Sequence, residues 1–299
     1  MKKQILSLLA IVFIFNACKE QVPGGLVLTT LISEDTTYVT TQIETPQEKK
    51  VVIEELTGAS CVNCPAGTKL LNDFVIQHPD RIILTALHSG FLSEPPAGAL
   101  YDFRNEDATA LKLSFNEGDP GKPSATFDRV PAAVGGGDPK FFILKGQFGG
   151  DWISLLNTRL SKTTPVNIHL TSSYDVNTNK VNVKAKIHFT SAVTEKLGLT
   201  LYVLESGKTD IQDSLNSVVL LDYKFNHVLQ KIITPISGEP ILDSLPTKVQ
   251  GRVLEKTLSF EPNISGVNAW NLDNCVIIGI IHKTGASREI LHAEEVHLK

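Results

Sequence analysis

Two cysteines separated by two residues constrain the fold of this chain more than any other feature of its sequence. Cys61 and Cys64 stand between an apolar run, residues 51–56, and a segment whose apolar residues recur at helical spacing. At the N-terminus of a helix, free backbone N–H groups and the helix dipole stabilise a thiolate. We therefore expect Cys61, as the more exposed cysteine, to attack a disulfide and Cys64 to resolve the mixed disulfide.

Two other interpretations of the cysteine pair stay open on the residues alone. A zinc site needs four ligands, usually a second cysteine pair or two histidines, and the sequence offers no such partner nearby. A purely structural disulfide suits an exported protein, although closing so short a loop stabilises a protein only a little. The preferred prediction is a redox-active pair with no metal and no cofactor, and an inert disulfide is the main alternative.

The N-terminal residues indicate export and attachment to a membrane. Residues 1–17 combine a positively charged start with an apolar run that is too short to span a bilayer, which is typical of a signal peptide. Cys18 directly follows Ala17 and resembles the cysteine of the lipobox in bacterial lipoproteins. We expect lipidation of Cys18; a signal peptide cut elsewhere, with an incidental cysteine, is the alternative.

The rest of the chain falls into ranges with different hydropathy patterns. Residues 18–47 are polar and are predicted to form a tether, with Tyr38 to Ile43 as a candidate edge strand. From residue 48 to 161, strand-like runs alternate with amphipathic segments, which predicts an α/β domain. From residue 165 to 299, strand-like runs follow one another without a convincing helix, which predicts an all-β antiparallel sandwich of Ig-like type.

Particular elements follow from the same patterns. We predict strands over Arg81–His88 and Ser124–Arg129, and helices over Ala99–Phe115 and residues 139–161. Cys275 lies inside an apolar strand and is expected to be a buried free thiol.

The residues around the cysteine pair resemble the thioredoxin fold. Glu55 lies six residues before Cys61, where thioredoxins carry a buried acid, and Pro123 precedes a strand, where that fold places a cis-proline. The resemblance implies that Glu55 accepts the proton of the resolving cysteine. Glu54 should point to the opposite face of the strand and matter less. Candidate substrate-binding residues are Lys122, Pro123, Ser124 and His88; for His88, a hydrogen-bonded structural role is the preferred interpretation.

Longer stretches resemble a narrower group, the Omp28-related outer-membrane lipoproteins of Bacteroidetes. These stretches are EELTGASCVNCPAG, GKPSATFDR and FNHVLQ. The resemblance implies a thioredoxin-like domain followed by a β-sandwich, in a protein that a lipid anchors to the outer membrane, on its periplasmic or surface face.

The balance of charged residues argues against one class of partner. The chain carries 28 Lys and Arg against 32 Asp and Glu, without a basic block, which argues against nucleic acid as a partner. We expect a thiol–disulfide oxidoreductase that acts on thiols or disulfides of exported proteins. The alternative is a surface binding or adhesion lipoprotein with a structural or vestigial disulfide and a surface-protein or host partner.

Overall fold

A computed structural model describes residues 32–146 and 150–299 of the chain. Its helices are α1 (Cys64–Gln77), α2 (Glu106–Ser114) and α3 (Gly150–Leu160). Its strands are β1 (Ile32–Val39), β2 (Val51–Thr57), β3 (Ile82–His88), β4 (Ser124–Phe127), β5 (Ile143–Leu144), β6 (Val166–Asp175), β7 (Lys180–Phe189), β8 (Leu197–Glu205), β9 (Lys208–Ser214), β10 (Val218–Phe225), β11 (Val228–Ile232), β12 (Glu239–Pro240), β13 (Arg252–Phe260), β14 (Cys275–Lys283) and β15 (Ile290–His297).

One sheet joins strands from both ends of the chain. Its order is β15-β14-β8-β11-β3-β2-β4-β5, and β12 also pairs with β8. Strand β2 runs parallel to β3 and antiparallel to β4, and β11 pairs in parallel with β3 through Val228 and Ala86. The ranges 48–161 and 165–299 therefore contribute to a common sheet, and their independent folding stays a prediction.

Both faces of β2 are covered, so all seven of its residues are buried. Alternate side chains of a strand point to opposite faces. Val51 and Ile53 belong to an apolar cluster with residues of α1 and α3, whereas Val52 and Leu56 belong to a cluster with residues of α2. This alternation places the neighbouring acids at positions 54 and 55 on opposite faces, as predicted.

The C-terminal range is built of strands, as the sequence predicts. A second sheet has the order β1-β13-β7-β6, and all its pairings are antiparallel. An apolar core contains residues of β6, β7 and β13 from this sheet together with residues of β8 and β14 from the large sheet. Strands β9 and β10 form a separate antiparallel hairpin.

The structure corrects both predicted helices. Helix α2 begins only at Glu106, because Asn105 caps it by accepting a hydrogen bond from the Ala108 N–H at 3.0 Å. The range 139–161 contains strand β5, which pairs with β4, and helix α3 begins only at Gly150. The predicted strands β3 and β4 are confirmed within one or two residues.

At the N-terminal side, the edge strand lies earlier than predicted. Strand β1 ends at Val39 and pairs with β13, whereas the prediction began at Tyr38. The predicted signal peptide, residues 1–17, and Cys18 lie outside the described residues. Among the described residues, no helix combines the length and apolar character that a bilayer span needs.

Candidate functional site

The two cysteines of the CxxC segment form a disulfide at the start of α1. The Cα atoms of Cys61 and Cys64 are 5.3 Å apart, and Cys64 is the first residue of the helix. Pro65 occupies the first turn, where its missing N–H leaves no hydrogen bond unmade. The Cys64 N–H donates to the Cys61 carbonyl at 3.0 Å, which closes the turn. The local pattern of strand, loop and helix thus lies as the sequence predicts.

The expectation that Cys61 is exposed is wrong. Cys61 and Cys64 are each 1% exposed, and the β9–β10 hairpin contacts the loop that carries them. The Gln212 side-chain amide donates to the carbonyls of Gly58 and Cys61 at 3.2 Å each. The Asp213 N–H donates to the Ala59 carbonyl at 2.9 Å. The hairpin is therefore hydrogen-bonded directly to the backbone of the cysteine loop.

A buried carboxyl group lies on the α1 face of β2. Glu55 has no solvent exposure, and the Thr68 hydroxyl lies 3.0 Å and 3.1 Å from its two oxygens. Burial raises the pKa of Glu55 to about 8, against the lowering effect of the Thr68 hydrogen bond. Burial and the nearby Glu55 carboxylate both raise the pKa of Tyr223, which belongs to β10. Tyr223 of the hairpin therefore lies close enough to Glu55 to interact with it electrostatically, and the hairpin also contacts the cysteine loop.

Gly67 brings Glu55 and Pro123 to the same point on α1. A Cβ atom at residue 67 would lie 2.6 Å from Pro123 Cγ and 3.4 Å from Glu55 Oε1. Gly67 is three residues after Cys64, so this point is one turn into the helix that the disulfide begins. The Lys122–Pro123 peptide bond is cis. Glu55 and Pro123 therefore both lie next to the first turn of α1, the helix that begins at Cys64.

The neighbours of Pro123 make different contacts. The Lys122 ammonium group donates to the Ser89 carbonyl at 2.5 Å and to the Phe91 carbonyl, and burial lowers its pKa. Ser124 is fully buried, and its register pairs it with Leu56, on the face of the sheet away from Glu55. Its hydroxyl has no hydrogen-bond partner among the described residues. Both side chains are therefore less accessible than a substrate-binding role suggests.

His88 lies among aromatic rings rather than in a hydrogen-bond network. Its ring centroid is 5.3 Å from that of Phe103 and 5.9 Å from that of Phe225. Neither ring nitrogen has a hydrogen-bond partner among the described residues, so the hydrogen-bonded role considered for His88 does not hold there. Burial lowers the pKa of His88 to about 3, helped by the charge of Lys122, so the ring is neutral.

Sequence reasoning missed a charged cluster on the other face of β2. The Arg129 guanidinium donates to both oxygens of Glu54, from Nη2 at 2.8 Å and from Nε at 3.0 Å. The Tyr202 hydroxyl donates to Glu54 at 2.8 Å and accepts from Arg129 at 2.6 Å. All three side chains are at most 2% exposed. An acid inside an otherwise apolar strand was the available signal, because such a group needs a buried partner.

Two further features are Cys275 and the arrangement of side chains that could hold a metal ion. Cys275 is free and buried, as predicted, and burial raises the pKa of its thiol to about 12. Within residues 32–146 and 150–299, no group of three or more His, Cys, Asp or Glu side chains is arranged to hold a metal ion.

Comparison with known proteins gives a family and a fold. A model of the family described as outer membrane protein Omp28 matches residues 147–298, a range that does not include the cysteine pair. No curated protein sequence matches the chain.

Solved structures resemble the chain at low sequence identity. HBP35 of Porphyromonas gingivalis has a TM-score of 0.61 at 17% identity, over 84% of this chain and 76% of that one. Protein AGR_C_4864 from Agrobacterium tumefaciens has a TM-score of 0.52 at 11% identity, over 85% of this chain and 97% of that one. A domain of the outer membrane lipoprotein Omp28 from Porphyromonas gingivalis has a TM-score of 0.30 at 20% identity, over 46% of this chain and 89% of that one. The first two likenesses indicate a shared fold.

Proposed function

The chain belongs to the outer membrane protein Omp28 family, and from that premise we propose that it is an envelope lipoprotein that exchanges disulfides with exported proteins. The observation that carries the proposal is the position of the Cys61–Cys64 disulfide, at a helix N-terminus beside buried Glu55 and Pro123. Perturbed carboxyl groups next to a reactive pair are typical of catalytic sites.

The strand order around the disulfide supports a thioredoxin-like domain in this proposal. The chain order β2–α1–β3–α2–β4–β5–α3 forms the sheet order β3-β2-β4-β5, with β2 and β3 parallel and the other pairs antiparallel. We assign β6, β7, β8, β13 and β14 to an Ig-like sandwich on the basis of the apolar core that they share.

In the proposed reaction, the reduced protein attacks a substrate disulfide with the Cys61 thiolate. The substrate S–S bond breaks, a mixed disulfide forms on Cys61, and one substrate thiolate leaves. Cys64 then transfers its proton to the Glu55 carboxylate and attacks the sulfur of Cys61. The second substrate thiolate leaves, so the substrate gains two electrons and the protein returns to its disulfide form. The reverse sequence oxidises a substrate dithiol.

Access to the disulfide depends on the β9–β10 hairpin. Because Cys61 is 1% exposed, a substrate sulfur reaches it only after the surrounding structure opens, and we assign that opening to the β9–β10 hairpin, which is hydrogen-bonded to the cysteine loop. The contacts to be broken include the two hydrogen bonds from Gln212 to that loop. In this proposal the hairpin controls how often a substrate sulfur can reach Cys61.

An exchange assay with cysteine variants tests the proposal. The oxidised protein is mixed with a peptide dithiol, and mixed disulfides are trapped by acid and identified by mass. Cys61→Ser should abolish exchange, whereas reduced Cys64→Ser should accumulate a mixed disulfide with an oxidised peptide. Cys275→Ala is the matched control and should exchange like the wild type, because Cys275 is a buried thiol in a different strand.

The burial of the disulfide also favours the second candidate function. In that case the chain is a surface binding or adhesion lipoprotein, and Cys61–Cys64 is a structural bond. The reduction potential separates the two, because exchangers lie at about −270 to −120 mV and structural disulfides below about −300 mV. A reduction potential below about −300 mV, together with no trapped adduct in Cys64→Ser, would support the binding function instead of disulfide exchange. Under both functions we place the protein at the outer membrane, anchored through a lipid on Cys18.

A further inference from the structure

A cationic cavity lies at the opposite end of β4 from Pro123. It has a volume of about 510 Å³ and is formed by the end of α2, Arg129 after β4, the loop before β12, and the end of β14 with the loop that follows it. Arg129, Lys283 and Arg288 give it three basic side chains, and none of the described residues that line it is acidic. A cavity of this size matches those that hold small ligands, which occupy about 300–1,000 Å³.

Arg288 supplies a positive charge that no carboxylate balances directly. Its Nη1 donates to the Ser114 hydroxyl at 2.8 Å, and its guanidinium carbon lies 5.1 Å from the centroid of the Phe115 ring. Among the described residues it forms no ion pair with an Asp or Glu within 4.0 Å. A half-buried guanidinium that contacts only a hydroxyl and a ring keeps donors free for an anion.

The other cationic groups at the cavity are already occupied, which singles out Arg288. Arg129 lies 5.9 Å from the same Phe115 ring, but its guanidinium is bound to Glu54. Burial, and then the repulsion from Arg129, lower the pKa of Arg288 below its ordinary value. An incoming anion would relieve this repulsion, since it would be attracted to both guanidinium groups.

Lys283 and His282 shape the cavity without adding a free charge. Lys283 pairs with Glu195 and Glu289, at 3.1 Å each. His282 is buried, and its Nε2 lies 2.8 Å from the Thr200 hydroxyl. Burial and the neighbouring arginines lower the pKa of His282 to about 3, so its ring is neutral.

The remaining lining residues complete a site for an organic anion. Ser237 and Thr284 carry hydroxyl groups, and Ile236 provides apolar surface. We propose that this cavity binds a small organic anion whose carboxylate or phosphate group pairs with Arg288 and whose apolar part contacts Ile236. A guanidinium fork suits both head groups, because each presents two oxygens to parallel N–H donors.

Calorimetric titration of the purified protein tests this site. The probes are benzyl phosphate, phenylacetate and uncharged benzyl alcohol, which share an aromatic body and differ in the head group. We expect saturable one-to-one binding of at least one of the two anions and none of benzyl alcohol. The anion that binds more tightly identifies the preferred head group.

Variants locate the binding at Arg288. Arg288→Gln should weaken anion binding at least about tenfold, because it removes a charge-assisted hydrogen bond. Arg288→Lys keeps the charge but loses the fork, and should bind with intermediate affinity. Lys224→Gln removes an equal charge from an exposed position on β10 and should bind like the wild type. The absence of saturable binding to the wild type, or equal binding by both Arg288 variants and the wild type, would overturn the proposal.

Discussion

The Pro123 ring packs against Gly67 so closely that no side chain fits between them. A Cβ atom at residue 67 would lie 2.6 Å from Pro123 Cγ and 2.8 Å from Pro123 Cβ, closer than real Cβ contacts. Helix α1 therefore approaches the start of β4 at its first turn, and Glu55 lies beside this contact. The packing fixes the distance between the disulfide helix and the proline.

We expect Gly67→Ala to lower the free energy of unfolding by about 1–3 kcal/mol, because the added methyl group overpacks the contact with Pro123. Denaturant unfolding measures the change. Gly118→Ala is the matched control, since a Cβ there meets nothing within 4 Å. Equal stability of the two variants would contradict the close contact.

Glu55 should make stability depend on pH. Its pKa is raised from 4.5 to about 8 on folding, so the folded state holds the proton more tightly than the unfolded state between these values. The stabilisation is complete below about pH 4.5 and is lost as pH rises through 8. Glu55→Gln keeps the group neutral, so the variant should gain stability relative to the wild type as pH rises from 5 to 9.

Unfolding in guanidinium chloride at several pH values measures this difference, which should reach a few kcal/mol. Glu106→Gln changes an exposed acid at the start of α2 and is the control. If the two variants show the same pH dependence as the wild type, Glu55 does not titrate in this range.

Loss of the Gln212 side chain should expose the disulfide. Its amide makes hydrogen bonds to the carbonyls of Gly58, Cys61 and Asp213, and each contributes about 0.5–1.5 kcal/mol. Gln212→Ala should therefore speed the reduction of Cys61–Cys64 by dithiothreitol about tenfold. Thr209→Ala, at an exposed position of the same strand, should leave the rate unchanged. An unchanged rate in Gln212→Ala would mean that the hairpin does not control access.

The buried Glu54–Arg129 pair should show strong coupling. Glu54→Gln or Arg129→Gln leaves one charge buried without its partner, and each should destabilise the protein by about 3–5 kcal/mol. The double variant should lose less than the sum of the single losses. The exposed Lys69–Asp73 pair of α1 is the control, with an expected coupling of about 0–1 kcal/mol. Additive losses at Glu54 and Arg129 would argue against a direct pair.

The predicted lipid anchor on Cys18 can be tested directly. Cys18→Ala should abolish the incorporation of labelled palmitate and release the protein from the membrane fraction, because the thiol that accepts the lipid is gone. Cys275→Ala keeps the same number of cysteines as Cys18→Ala and should remain labelled. Labelling that persists in Cys18→Ala would place the lipid elsewhere.

Local patterns predicted the elements around the site well. The apolar run of β2, the strand β3 and the helix after the cysteines all follow from residues close together in sequence. The opposite directions of Glu54 and Glu55 follow from the alternation of a strand. What local patterns omit is long-range contact: Gln212 is 151 positions from Cys61, and Tyr202 is 148 positions from Glu54. The contacts of the hairpin with the cysteine loop and the partners of Glu54 therefore could not be predicted from local sequence patterns.

The pairing of β3 with β11 has a consequence for how the chain acquires its structure. Ala86 pairs with Val228, so the edge of β3 stays open until 142 further residues have followed. When the chain emerges N-terminus first, in synthesis or in transport, its first half presents an unsatisfied strand edge during that interval. Such an edge attracts other strands, so we expect the first half of the chain to be more prone to aggregation until β11 has paired with β3.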